Sequence, residues 1–118
     1  MSKLQVLFFA VAFTLVGCSA ENGGQATQSA AKPGFVEPSG APEVVAIYNR
    51  SCRSCHAKGQ GRAPLTGDTV AWEPRLAQGM DVLLDHTINS FQGMPAMGMC
   101  FDCEEEDFIA LIKYMSGS

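Results

Sequence analysis

Long apolar runs, stretches of alternating polarity and internal repeats are all missing from this chain of 118 residues. The longest apolar stretch, LQVLFFAVAFTLV from Leu4 to Val16, falls short of the roughly 20 residues that a membrane-spanning helix needs. Without a period-two pattern there is no reason to expect a sheet. Charge is also sparse. Lys and Arg number 8 against 12 Asp and Glu, a net charge of -4, so no nucleic-acid partner is expected. The length allows one domain at most.

What is present divides the chain into three. Lys3 followed by the apolar run fits the core of an export signal. The run closes on Leu15-Val16-Gly17-Cys18 with Ser19 next, which resembles the bacterial lipobox. Residues 1–17 are therefore expected to be a lipoprotein signal peptide, with Cys18 acylated and anchored to lipid. An ordinary secretory signal containing a cysteine is the plainer alternative. Residues 18–40, SAENGGQATQSAAKPGFVEPSG after Cys18, are too polar and too rich in small residues to order themselves and read as a flexible tether. Phe35-Val36 in it is either a contact with the folded part or an incidental apolar spot.

The folded part is expected over 41–118. A domain under about 80 residues usually needs a disulfide, a metal or a cofactor besides its core. Its pattern is all-α. PEVVAIYNRSC places Val44, Ile47, Tyr48 and Ser51 on one face, with Pro42 in the first turn. GDTVAWEPRLA offers Asp68 as an N-cap and an interruption at Pro74. GMDVLLDHTINSF puts Met80, Leu83, Leu84, Thr87, Ile88 and Phe91 at helical spacing behind Gly79 or Asp81. The last helix starts at Asp102 or Cys103, loads Glu104 to Asp107 into its first turn, and carries Phe108, Ile109, Leu111, Ile112 and Met115 as its stripe. Short helices with long loops make a poor core of their own, and a good shell around a flat apolar object.

Cys52-x-x-Cys55-His56 identifies that object. A Cys₄ zinc site would recruit Cys100 and Cys103, but 44 residues separate the pairs, against about 15 to 20 in structural zinc sites. His56 would also go unused. A redox dithiol normally sits at a helix N-terminus in a βαβ setting. Here the pair closes a helix in a chain without strands. Cys-x-x-Cys-His is the covalent c-type haem attachment signature, in which two thioethers fix the porphyrin edge and the histidine reaches the iron. For a second axial ligand, FQGMPAMGMC supplies Met94, between a glycine that permits close approach and a proline that stiffens the chain. Met80, Met97, Met99 and Met115 read as gap-filling core. His86 is the other possible axial ligand, though beside Val82 and Leu83 on its helix an ordinary helix histidine is the plainer reading.

From Pro42 to Met115 the chain resembles the class I c-type cytochromes, and the bacterial c5-type group in particular. The resemblance rests on Tyr48-x-x-x-Cys52-x-x-Cys55-His56, Gly61-x-x-Pro64-Leu65, Gly67-Asp68, Trp72-x-x-Arg75, Gly93-Met94-Pro95-Ala96, and Cys100-x-x-Cys103 before a terminal helix ending Tyr114-Met115. It implies a small cytochrome c-like helical domain wrapped around one covalent haem c. In it Cys52 and Cys55 would be the thioether anchors, and His56 and Met94 the axial ligands. Pro64, Leu65, Trp72 and Arg75 would pack on the haem, and Cys100 and Cys103 would form a disulfide. With Cys18 given to lipid, the five cysteines are then all used. The amino-terminal lipid segment departs from a group of usually soluble carriers.

Between Arg50 and Arg75 lie five basic residues and two acidic ones; from Leu76 onward lie seven acidic residues and one lysine. Complementary fields of this kind speed encounter more than they tighten binding. The expectation is a monomeric periplasmic one-electron carrier, not an enzyme. It would be lipid-anchored to the outer membrane and would dock transiently with redox protein partners. A haem-based sensor or gas-binding module with a displaceable sixth ligand is the alternative, and a metal-free or zinc-bound adaptor lipoprotein a third.

Overall fold

Pro42 opens the first helix at a position where its missing N–H costs nothing, and the chain then stays helical through His56 in three registers. Helix α1 spans Pro42–Ile47, a wide π turn spans Tyr48–Cys52, and α2 spans Arg53–His56. The computed structural model describes residues 33–36 and 38–118. The expected signal segment and Cys18 lie outside them.

After a 3₁₀ turn at Gln60–Arg62 come α3 at Thr69–Leu76, α4 at Met80–Asn89, a second 3₁₀ turn at Ala96–Met99, and α5 at Glu105–Ser116. Among the described residues there is no strand, only two isolated bridges, Phe35 with Asp68 and Phe91 with Met94. The all-α expectation agrees with this architecture.

Helix α5 is the spine of the core. Phe108, Leu111, Ile112 and Met115 are buried along it, and Val44 and Ile47 of α1 pack on the same cluster. Tyr48 and Tyr114 meet where the first and last helices pass, with ring centroids 5.0 Å apart. Trp72 of α3 and Leu83 and Leu84 of α4 complete the cluster. Tight packing of this few residues leaves little room for error: truncating one to Ala typically costs about 2–5 kcal/mol.

Two local expectations need correction. Pro74 does not interrupt α3, which runs on to Leu76. The carbonyl that loses its helical partner is that of Val70, on the solvent side (66 % exposed), and Asp68 still caps the helix by accepting from the Ala71 N–H at 3.1 Å. Helix α5 is capped not by Asp102 or Cys103 but by Glu104, in a reciprocal box with Asp107. Cys103 is held in a turn and Asp102 is engaged by Arg50, so neither is free to cap. Ahead of residue 41, the chain near Phe35-Val36 touches the body of the domain. Val36 N–H donates to the Gly67 carbonyl at 2.8 Å, and both the N–H and the hydroxyl of Thr69 donate to the Gly34 carbonyl at 2.8 Å. Of α4's two candidate caps, Gly79 is the one used.

Candidate functional site

The helical segment 42–56 ends by presenting Cys52, Cys55 and His56 to one cleft. The π turn matters here, because widening the helix by one residue per turn changes the direction in which the following side chains leave it. His56 is 6 % exposed, and its Nδ1 lies 2.9 Å from the Pro64 carbonyl oxygen. A carbonyl only accepts, so Nδ1 carries the proton and Nε2 keeps its lone pair free. Burial pushes the imidazole's pKa down, the Pro64 bond opposes this, and the Arg75 charge adds to the lowering. The ring stays neutral, as a metal-binding imidazole must.

A relay fixes the same residue from behind. The Thr66 hydroxyl donates to the His56 carbonyl at 3.3 Å, so the Tyr48 hydroxyl, 2.9 Å away, must donate to Thr66. Thr66 N–H also donates to that carbonyl at 2.8 Å. The imidazole stacks on Trp72 with centroids 5.9 Å apart, and the Trp72 indole N–H is held by the Leu65 carbonyl at 2.9 Å.

Cys52 and Cys55 are unpaired and half-buried. Burial pushes the Cys52 thiol up to about 11, the opposite of the lowered value that a reactive dithiol needs. Cys100 and Cys103 are joined to each other in a disulfide, so they cannot complete a Cys₄ zinc site with the first pair. Both alternative readings of the cysteines thereby lose their chemistry.

Elsewhere on the cleft wall the chain turns back on itself. Phe91 and Met94 exchange backbone hydrogen bonds, at 3.2 and 2.9 Å, and Pro95 follows. Ser90, Gln92, Met97 and Met99 all have positive φ, from 52 to 72°, which is uncommon for residues other than glycine. With Gly98 also left-handed, three such residues in succession turn Met97 toward the core and Met99 out of it. Met99 is 59 % exposed at the edge of the cleft rather than a core filler. Met97 packs on the core and Met115 is buried in it, and Met115 lines the cleft as well.

The cleft is partly open to solvent and lined mostly by apolar surface. Cys52, Cys55, His56, Pro64, Trp72, Arg75 and Met94 all line it. Leu65 does not. It acts through its carbonyl on Trp72. Sequence reasoning missed the Tyr48–Thr66 relay and the inner lining by Leu83 and Ile112. The regular spacing of those two apolar residues distinguishes core from lining in no way. His86, expected to be an ordinary helix residue, lines the cleft and stacks on Phe91 with centroids 3.7 Å apart.

The donor set fits a haem: two free thiols, a neutral imidazole with Nε2 available, a thioether held in a turn, and apolar walls between them. Comparison with known proteins agrees. Residues 40–115 match the family model described as cytochrome C oxidase, cbb3-type, subunit III. Cytochrome c5 of Azotobacter vinelandii is 39% identical over 77 residues, covering 64% of this chain and 89% of that protein. The mono-heme ferrocytochrome c of Shewanella putrefaciens is similar in structure, with a TM-score of 0.57 at 45% identity, over 62% of this chain and 90% of its own. A chain of an electron transfer complex of nitrite reductase with cytochrome c superposes with a TM-score of 0.59 at 35% identity, over 67% of this chain and 96% of that one. The protein belongs to the class I monohaem c-type cytochromes, related to cytochrome c5, with one covalent haem c as its cofactor.

Proposed function

We propose that the protein is an exported one-electron carrier in which Cys52 and Cys55 bind the haem covalently and His56 and Met94 are its axial ligands. The observation that carries this reading is the oriented His56 in a cleft that Cys52, Cys55 and the Phe91–Met94 turn also line. Bound haem supplies an iron that exchanges one electron between the ferric and ferrous states. The chain's part is to hold that exchange cheap. The Pro64 carbonyl and Trp72 keep the imidazole from rotating, and the tight turn keeps the Met94 thioether in place. The apolar lining excludes water, which disfavours the extra charge of the oxidised form and raises the potential. With both axial positions taken by protein, no position is left for a substrate, and the role is transfer rather than catalysis.

Export and anchoring follow from the amino-terminal sequence. The apolar run after Lys3 directs the chain to the periplasm, and Cys18 takes lipid. The absence of aspartate at position 19 favours the outer membrane. Partners are redox proteins met transiently, an arrangement supported by the nitrite reductase complex formed by a structural relative. A tether raises the effective concentration near membrane-bound partners without any added affinity.

The test is an absorption spectrum of the purified oxidised protein, together with acid-acetone extraction. Six-coordinate haem that stays on the polypeptide, with a weak methionine-to-ferric band at long wavelength, is the expected result. A five-coordinate spectrum would replace the carrier reading with a sensor. For the anchor, Cys18→Ser should fold and stay red but no longer incorporate labelled fatty acid; equal labelling of both proteins would refute the lipid assignment.

A further inference from the structure

The loop that leaves α2 and the loop that carries Met94 meet backbone to backbone at Gly61 and Gly93. A Cβ placed on Gly93 would stand 2.7 Å from the Gly61 carbonyl oxygen and 2.9 Å from its Cα, and one on Gly61 would stand 3.2 Å from the Gly93 oxygen. Contact this close is open to glycine alone. The two glycines differ in a useful way. Gly61 has φ of 62°, so its own backbone favours glycine. Gly93 is not among the left-handed glycines, so its backbone makes no such demand, and only space does.

Position gives the contact its meaning. Gly61 lies between His56 and Pro64, whose carbonyl orients the His56 ring, and Gly93 is covalently next to Met94. Both glycines line the cleft. The two segments that position the opposing ligands are thus in direct contact at its edge, with no side chain between them to absorb a change.

We propose that the Gly61–Gly93 contact is the spacer that fixes how far Met94 stands from His56 across the cleft and so keeps the sixth coordination position shut. Both are positioning residues, and the inference rests on the His56/Met94 ligation proposed above. A methyl group inserted at Gly93 meets backbone atoms, which cannot rotate away as the end of a side chain can. The loop that yields is the one with four left-handed non-glycine residues, and Met94 moves with it.

The test uses full-length holoprotein and four variants: Gly93→Ala, Gly61→Ala, Gly79→Ala and Met94→Ala. Three readouts apply to each: the methionine-to-ferric band, carbon monoxide binding to the reduced protein, and the thermal midpoint. Gly79 has φ of 95° with nothing within 4 Å of its virtual Cβ, so its variant reports backbone strain without crowding. Gly93→Ala should raise the fraction open to carbon monoxide by about tenfold or more, the size expected of overpacking a tight contact. Gly61→Ala should raise it less, and Gly79→Ala should lower the thermal midpoint while staying closed. If Gly93→Ala yields no coloured protein, Gly61→Ala carries the same comparison with the milder clash. A folded Gly93→Ala, or in its absence Gly61→Ala, that keeps the full band and stays closed while Met94→Ala opens would overturn the spacer. A Met94→Ala protein that keeps its band would instead refute the ligation reading, and the spacer would fall with it.

Discussion

His56 and Met94 are held in the cleft by different means. His56 is buried at the end of a helix. Its ring is oriented by Pro64 and stacked on Trp72, and its carbonyl is held through Thr66 and Tyr48. Met94 sits in a turn with no helix of its own, between segments whose backbone is repeatedly left-handed. Each non-glycine residue held in that region costs on the order of 1 kcal/mol or more and persists only while its surroundings impose it. One side is therefore redundant and the other conditional. Local perturbation is expected to release Met94 long before it releases His56.

Removing the redundant side tests the contrast most severely. His56→Ala, and equally Cys55→Ala, should abolish a stable holoprotein, measured as covalent haem per polypeptide; normal loading of either variant would break the assignment of that side. Next in size is Met94→Ala, which should keep its haem, lose the methionine-to-ferric band, bind exogenous ligands and show a lowered potential. Met97→Ala and Met99→Ala should keep the band. Loss of the band in the Met99 variant alone would move the ligand by five residues along the same loop.

Tyr48→Phe sharpens the comparison from within the His56 side. It deletes the end of the relay and should cost about 1 kcal/mol of stability, with the spectrum unchanged because Pro64 still orients the ring. A spectral change would mean that the relay reaches the iron. The smallest effect belongs to the exposed pair of Arg50 with Asp102, two bonds of 2.9 Å. The Arg50 hydrogen bonds hold the Asp102 carboxyl below the usual carboxylate range. Its contribution is then present at neutral pH and is lost as pH falls through that lowered value. Asp102→Asn should shift the thermal midpoint slightly at pH 7, and the shift should vanish in high salt. A shift that survives high salt would show that Asp102 acts by something other than charge.

The contrast also explains how much the sequence could tell. The His56 part of the cleft was legible because its chemistry is local: Cys52, Cys55 and His56 fall within one short segment, and Pro64 and Trp72 follow it closely. Met94 was singled out by its glycine and proline neighbours, and it lines the cleft. Met99 was misassigned because nothing in GMPAMGMC reveals which residues turn left-handed; the packing of the loop decides that. The α5 cap shifted because Asp102 has a partner 52 residues away, beyond any local rule. Leu65 illustrates a further limit: its apolar side chain suggested packing, while its contribution comes from a backbone carbonyl common to every residue.

The seating of residues 34–36 on the body of the domain has a mechanical consequence. Val36 is tied to Gly67, Gly34 to Thr69, and the Gly67 N–H in turn donates to the Met115 carbonyl at 2.7 Å. A pull on the chain from the amino-terminal side therefore loads the α3 cap and the end of α5 first. It would have to unzip those bonds before any force reached α1. The helical segment that carries Cys52, Cys55 and His56 is thus strain-relieved, in the way a cable is clamped ahead of its connector.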